Sequence, residues 1–178
     1  MSEQATGEVR RLLGPVRQVG YIVADIEAAA QSWVERLGIG PWRVKHGITF
    51  DECTYLGTSM DLKLSIATAY SGGIEIELIA QPGGPASMYT DFAAHSGVGA
   101  QHVCFYPADY PAALAHLLAT GLDIVLTGVI GGVDFAYLAD GHGQVIEIAD
   151  IPMDGLASRV ERASAAPTWD GLDPIVIR

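Results

Sequence analysis

The chain has 178 residues, 49% of them apolar, and a net charge of −11 at pH 7. That length suits one domain or two small modules sharing a core, and an acidic chain with no basic run longer than Arg10-Arg11 argues against a nucleic-acid-binding face. No apolar run is long enough to span a membrane, the polar start Met1-Ser2-Glu3-Gln4 has no apolar signal core, and Cys53 and Cys104 form neither a CxxC pair nor a disulfide framework, so a cytoplasmic protein is expected.

Residues 1–15 read as an N-terminal arm, loose or a single helical turn, with Leu12-Leu13 near its end. Residues 16–23 alternate as a strand does. Asp25 then stands where a carboxylate caps the helix expected over Ile26–Leu37, whose apolar face is Ala28, Ala29, Trp33, Val34 and Leu37. Gly38 stops that helix, and Gly40-Pro41-Trp42 turns into a strand. Residues 42–80 read as three strands: one from Trp42, one over about 62–70, and one over 74–80. Surplus residues near 45–60 suggest a hairpin lip or lid. Gln81-Pro82-Gly83-Gly84-Pro85 breaks the pattern and opens a linker, 81–98, with a short helix at 87–94.

The second unit spans 99–150. A strand runs into a helix over 110–120 with Ala113, Leu114, Leu117 and Leu118 on one side. A strand at 133–138, the turn Asp140-Gly141-His142-Gly143 and a returning strand at 144–148 follow. Beyond Asp150 lies a C-terminal tail, 151–178: helical over 156–163, a linker at Ala165-Ala166-Pro167, and an edge strand near 174–177. The tail is expected to pack on the body or on a second subunit.

The units at 16–80 and 99–150 look like two copies of one. Gln18-Val19-Gly20-Tyr21-Ile22-Val23-Ala24-Asp25 and His102-Val103-Cys104-Phe105-Tyr106-Pro107-Ala108-Asp109 share Val, an aromatic, Ala and Asp in register, 84 residues apart. Gly73-Ile74-Glu75-Ile76-Glu77-Leu78-Ile79 matches Gly143-Gln144-Val145-Ile146-Glu147-Ile148-Ala149 at an offset of 70, the first copy being longer by 14 residues.

Alternate residues of a strand share a face. Val19, Tyr21 and Val23, with Val103 and Phe105, form the apolar sets that meet the helices; Ile74, Ile76 and Leu78, with Ile146 and Ile148, do the same for the closing strands. The opposite face then carries Gln18, His102, Glu147 and either Glu75 or Glu77, which alternation alone does not separate. If the repeated sheets curl together, these side chains converge. Two carboxylates, an imidazole and an amide oxygen suit a divalent ion such as Zn, Ni, Co, Mn or Fe. Cys104 and Tyr106 share the face as pocket lining, and His46, His95, His116 and His142 have no assigned place.

Tyr137-Leu138-Ala139-Asp140-Gly141-His142-Gly143-Gln144-Val145-Ile146-Glu147 resembles the closing hairpin of the vicinal oxygen chelate superfamily, with His142 and Gln144 in place of its usual Asp and Asn. Ile76-Glu77-Leu78-Ile79 is similar to the strand that ends the family's first module, and Gly40-Pro41-Trp42 with the later Gly84-Pro85 and short helix is similar to a glyoxalase-like subgroup near methylmalonyl-CoA epimerase. The superfamily also includes glyoxalase I, extradiol dioxygenases and bleomycin-resistance proteins. The resemblance covers residues 16–150. It implies an α+β fold of two βαβββ modules forming a cupped mixed sheet around a central cavity. It also selects Glu77 over Glu75, giving the metal ligands Gln18, Glu77, His102 and Glu147, a set similar to that of glyoxalase I.

The expected activity is metal-dependent, on a small vicinally oxygenated substrate, through an enediolate: an epimerase, isomerase or glyoxalase-type lyase, with Glu147 or Glu75 as base. One rival is an extradiol-type ring-cleaving dioxygenase, which wants two histidines and a carboxylate and meets Gln18 where the first histidine would stand. The other is a metal-free binding or resistance protein, which needs no polar quartet. Open sheet edges favour a homodimer.

Overall fold

The computed structural model describes residues 3–178. Five helices, α1 (Glu3–Leu13), α2 (Ile26–Leu37), α3 (Met88–Ser96), α4 (Tyr110–Ala119) and α5 (Met153–Ala165), accompany the strands β1 (Gln18–Ile22), β2 (Trp42–Thr49), β3 (Glu52–Tyr55), β4 (Thr58–Ser59), β5 (Lys63–Ser71), β6 (Ile74–Ala80), β7 (Gly99–Phe105), β8 (Asp123–Ile130), β9 (Val133–Ala139), β10 (Val145–Ala149) and β11 (Ile175–Ile177). The strands form one mixed sheet in the order β11-β2-β5-β6-β1-β7-β10-β9-β8-β3-β4. β1 lies parallel to β6 and antiparallel to β7, and β7 lies parallel to β10. The run β2-β5-β6-β1 is thus answered by β8-β9-β10-β7 across the central β1–β7 pair.

The helices start and stop where side-chain chemistry dictates. Asp25 accepts a hydrogen bond from the Ala28 N–H at 2.8 Å, and Asp109 accepts from Ala112 at 3.0 Å; each carboxylate satisfies a donor that the first turn leaves unpaired. Gly38 ends α2 in the left-handed region, which costs a residue without a β-carbon little. Ser87 and Thr90 form a reciprocal cap at the start of α3.

Three apolar clusters result. α2 packs Ile26 and Ala30 against Trp42, Val44, Ala67, Ala69, Ile76 and Leu78 on one outer face. α4 packs Ala113 and Leu117 against Ala136, Leu138, Ile146 and Ile148 on the other. The third cluster, including Ile22, Leu64, Ile79, Tyr89, Leu126, Phe135 and Tyr137, fills the inner face. Leu37 and Leu118 are exposed rather than part of the buried helix faces.

Several stretches differ from the sequence expectation. The N-terminal stretch is no loose arm or single turn: it forms the 11-residue α1, whose Val9, Leu12 and Leu13 join the α4 cluster. Residues 1 and 2 lie outside the described residues. The surplus near 45–60 is a hairpin, but not a free lid. Its β3 crosses to the far end of the sheet and pairs antiparallel with β8, so residues of the first half close the edge of the second. β8 itself was not legible as a separate strand. In the tail, α5 is longer than expected and β11 pairs parallel with β2. Among the described residues, no helix is long and apolar enough to cross a membrane.

Candidate functional site

Four adjacent strands, β6, β1, β7 and β10, carry Glu77, Gln18, His102 and Glu147 respectively. Their register explains how they meet. Gly20 of β1 is opposite Glu77 on one side and His102 on the other. Cys104 is opposite Gln18 on one side and Glu147 on the other. Two small residues therefore sit in the middle of two rows, and the long side chains flanking them lean over the gaps. A β-carbon on Gly20 would overlap the His102 ring, so this glycine is required by space, a role the sequence reading did not assign to it.

His102 is held at its other nitrogen. The β1–β7 register shifts between Gly20 and Tyr21 and skips Gln101, whose side-chain oxygen lies 2.7 Å from His102 Nδ1. With Nδ1–H donated to that oxygen, Nε2 keeps its lone pair for the site, the arrangement usual for a ligating histidine. Nε2 lies 3.1 Å from Glu147 Oε2 and 3.8 Å from Glu77 Oε2. One ligand atom from each of Glu77, His102 and Glu147 lies within 4.8 Å of the others. The Tyr137 ring stands edge-on to the imidazole at 5.0 Å between centroids and limits its rotation.

These groups fit a divalent cation. His102 Nε2 and Glu147 Oε2 are buried without a hydrogen-bond partner among the described residues, which is costly unless something else satisfies them. Burial pushes the Glu77 carboxyl well above the usual carboxylate range, and the negative charges of Glu147 and Glu75 push it further. No arginine or lysine pairs with Glu77 or Glu147 among the described residues. A doubly charged cation would balance two carboxylates and give the imidazole lone pair an acceptor.

Gln18 lines the same cavity but its amide nitrogen is directed to Glu75 Oε1 at 3.1 Å. With its NH2 so engaged, the amide oxygen is the atom it can offer to an ion. Glu75, only 2% exposed, lies one row away from His102. It accepts from the Tyr70 hydroxyl and Gln18 and faces Arg162 at 3.4 Å and Arg159 at 3.6 Å. Both arginines come from α5 and also lie over Tyr70 and Tyr106 rings. The tail therefore supplies the counterions of a buried carboxylate, a role that no sequence pattern pointed to.

The cavity beside the quartet holds about 230 Å³, the volume of roughly eight waters at about 30 Å³ each. Phe50, Ile79, Ile130 and Phe135 give it apolar walls, and Tyr89, Tyr106 and Tyr137 add hydroxyls. Burial, reinforced by the charges of Glu147 and Glu77, raises the Tyr137 and Tyr89 phenols well above their ordinary value, so they are hydrogen-bond donors at neutral pH. Tyr137 follows Phe135 at the strand period of two, so its place on the inner face was readable. Tyr89, on the linker helix, was not. Of the remaining histidines, His46 pairs with Glu27 at 2.9 Å, His95 lies 2.7 Å from the Asp91 carbonyl, His116 lies on α4 and His142 is exposed in the closing turn. None joins the site.

The sequence matches the profile of the Glyoxalase/Bleomycin resistance protein/Dioxygenase superfamily over residues 17–137. Among solved structures it is similar to methylmalonyl-CoA epimerase from Mycobacterium tuberculosis, at 20% identity and a TM-score of 0.57 over 83% of this chain and 93% of that one. It is also similar to a hypothetical protein from Bacillus halodurans, at 16% identity and a TM-score of 0.57 over 76% of this chain and 92% of that one. A methylmalonyl-CoA epimerase in complex with methylmalonyl-CoA and NH4+ aligns at 18% identity and a TM-score of 0.55 over 77% and 94%. At such identities the likeness is one of fold. No curated protein matches the chain.

Proposed function

The chain belongs to the Glyoxalase/Bleomycin resistance protein/Dioxygenase superfamily, and from that premise we propose that it is a metal-dependent enzyme acting on a small vicinally oxygenated substrate through an enediolate, as an epimerase, isomerase or glyoxalase-type lyase. The observation that carries the reading is the convergence of Glu77, His102 and Glu147, with two buried atoms left without hydrogen-bond partners among the described residues, beside a small cavity that Glu77 and Glu147 line. Gln18 is the fourth ligand in this reading.

Glu77, His102, Glu147 and Gln18 would hold a divalent ion, which would supply Lewis acidity to the substrate oxygens and so lower the cost of removing the proton from the carbon next to the carbonyl. His102 would contribute its Nε2 lone pair, with Nδ1–H donated to the Gln101 side-chain oxygen. Glu147 would serve as the base on displacement from the ion, no hydrogen bond holding its Oε2 among the described residues. Glu75 is the weaker candidate, because Tyr70, Gln18, Arg159 and Arg162 already surround its carboxylate. Tyr137 donates to Tyr89, and Tyr89, which remains protonated, can donate to a substrate oxygen. The apolar walls keep bulk water from the carbanionic carbon.

A ring-cleaving dioxygenase is less well supported, since the cluster offers one imidazole where that chemistry uses two. The test is metal content by elemental analysis after loading with Zn, Ni, Co, Mn or Fe(II) and dialysis, followed by NMR in D2O of proton exchange next to the carbonyl in a panel of small 2-hydroxy ketones and malonyl-type thioesters. Exchange by the loaded protein, absent in His102→Ala and without oxygen uptake, is the expected result. Failure to hold any of these ions leaves the metal-free binding protein as the reading. We also propose a homodimer: β4 and β11 are exposed sheet edges, and sedimentation at micromolar concentration giving only monomer would reject it.

A further inference from the structure

The protein is acidic, with 10 lysines and arginines against 21 aspartates and glutamates. Yet Arg43, Lys45, Arg159, Arg162 and Arg178, half of those cations, line one pocket of about 340 Å³ between β2, β5, β6 and α5. Its other polar walls include Ser158, Glu75 and Glu77. Lys45, Ile48, Ile66, Glu77 and Arg159 belong both to this pocket and to the cavity beside His102, so the two are adjacent.

The positive charge is not balanced from within. Glu75 is one carboxylate facing two guanidiniums. Arg43, Lys45 and Arg178 make no ion pair among the described residues. Arg43 is crowded by its own kind: partial burial and the nearby charges of Arg162 and Arg178 depress its affinity for its proton, with Tyr70 and Glu161 opposing them. Arg159 and Arg162 each also leave a buried Nε without a hydrogen-bond partner. Gathering like charges costs energy that an anion would return. Guanidiniums are also well suited to carboxylate and phosphate oxygens, which accept their paired N–H groups.

We propose that this pocket binds an anionic group, a carboxylate or a phosphate monoester, at the far end of the substrate whose vicinal oxygens reach the His102 site. The assignment to substrate rests on the enzymatic reading above; the anion site itself does not. The substrate class becomes a small anionic, vicinally oxygenated molecule. Its anionic end is anchored by β2 and α5, and its reactive carbon lies toward Glu147.

Inorganic phosphate and succinate are the probes, each titrated calorimetrically into metal-free full-length protein at low ionic strength; the two arms separate phosphate from carboxylate preference. Arg43→Gln with Lys45→Gln should weaken the better probe by about tenfold or more, since two charge-assisted donors are removed. Lys45→Gln with Arg178→Gln, both exposed positions, gives a second variant that leaves the core untouched and should weaken it as well. Lys63→Gln, an exposed cation outside the pocket, should not change affinity. His102→Ala should lose metal yet bind the anion as wild type does. The anion site is overturned if neither probe binds wild type, if the pocket variants bind as tightly as wild type, or if His102→Ala abolishes anion binding. Wild type that binds the anion but no metal would instead defeat the enzymatic reading and leave the anion site standing.

Discussion

Gly20 on β1 lies opposite His102 on β7, and the imidazole occupies the volume that a side chain on Gly20 would fill. Gly20→Ala is therefore expected to swing His102 away from Glu77 and Glu147, or to push β1 from β7. The cost is about 1–3 kcal/mol of stability, the usual range for overpacking. Metal content should fall while circular dichroism keeps the wild-type shape. A Gly20→Ala protein that binds metal as wild type does would show that the ring has room to spare.

The ligand assignments predict a graded series. His102→Ala should lose most of the metal, because it removes the imidazole of the cluster. Glu147→Gln should lose metal and turnover together. Gln18→Glu should keep the ion, since a carboxylate replaces an amide oxygen of similar length, and should slow turnover by adding charge. Glu75→Gln should keep the ion as well. Elemental analysis after dialysis ranks the four, and metal loss in Glu75→Gln would shift the assignment from Glu77 to Glu75.

Metal affinity should rise with pH. In the metal-free protein the Glu77 carboxyl is pushed upward by burial, by Glu147 and by Glu75, so it holds its proton where an ordinary carboxyl has lost it. A cation must displace that proton, and the apparent affinity gains up to about tenfold per pH unit until Glu77 ionises by itself. The same shift acts oppositely on the metal-free fold. The native state binds this proton more tightly than the unfolded chain does, so its contribution is full below the ordinary glutamate value, about pH 4.3, and is lost as pH rises toward the shifted one. Thermal unfolding with and without metal across this window should show the two trends diverging; parallel curves would reject the assignment.

Glu75 should matter for the tail rather than for the ion. Removing its charge leaves Arg159 and Arg162 facing each other over Tyr106 and Tyr70. Both arginines are partly exposed and can turn to water, so Glu75→Gln should cost about 2 kcal/mol, below the penalty for a fully buried pair. Limited proteolysis should cut near α5 faster than in wild type, with urea unfolding reporting the loss. Unchanged protection of α5 would mean that other contacts hold it.

The local order of this protein was legible in its sequence because it rests on local physics. Asp25 and Asp109 cap the helices they precede, Gly38 ends α2, and the period of two puts Gln18, Glu77, His102 and Glu147 on the face turned from the helices. Duplication and family resemblance added that the two halves cup a cavity. What tertiary structure alone decided is register and reach. Alternation gave Glu75 and Glu77 equal claims and the resemblance preferred Glu77; the pairing of Gly20 with both Glu77 and His102 is what sets that carboxylate beside the imidazole, while Glu75 stands beside Gln18. The crossing of β3 to β8 and the approach of Arg159 and Arg162 to Glu75 join residues far apart in the chain. Such contacts depend on which strands become neighbours and how far each slides, and a slide of one residue turns every side chain to the other face.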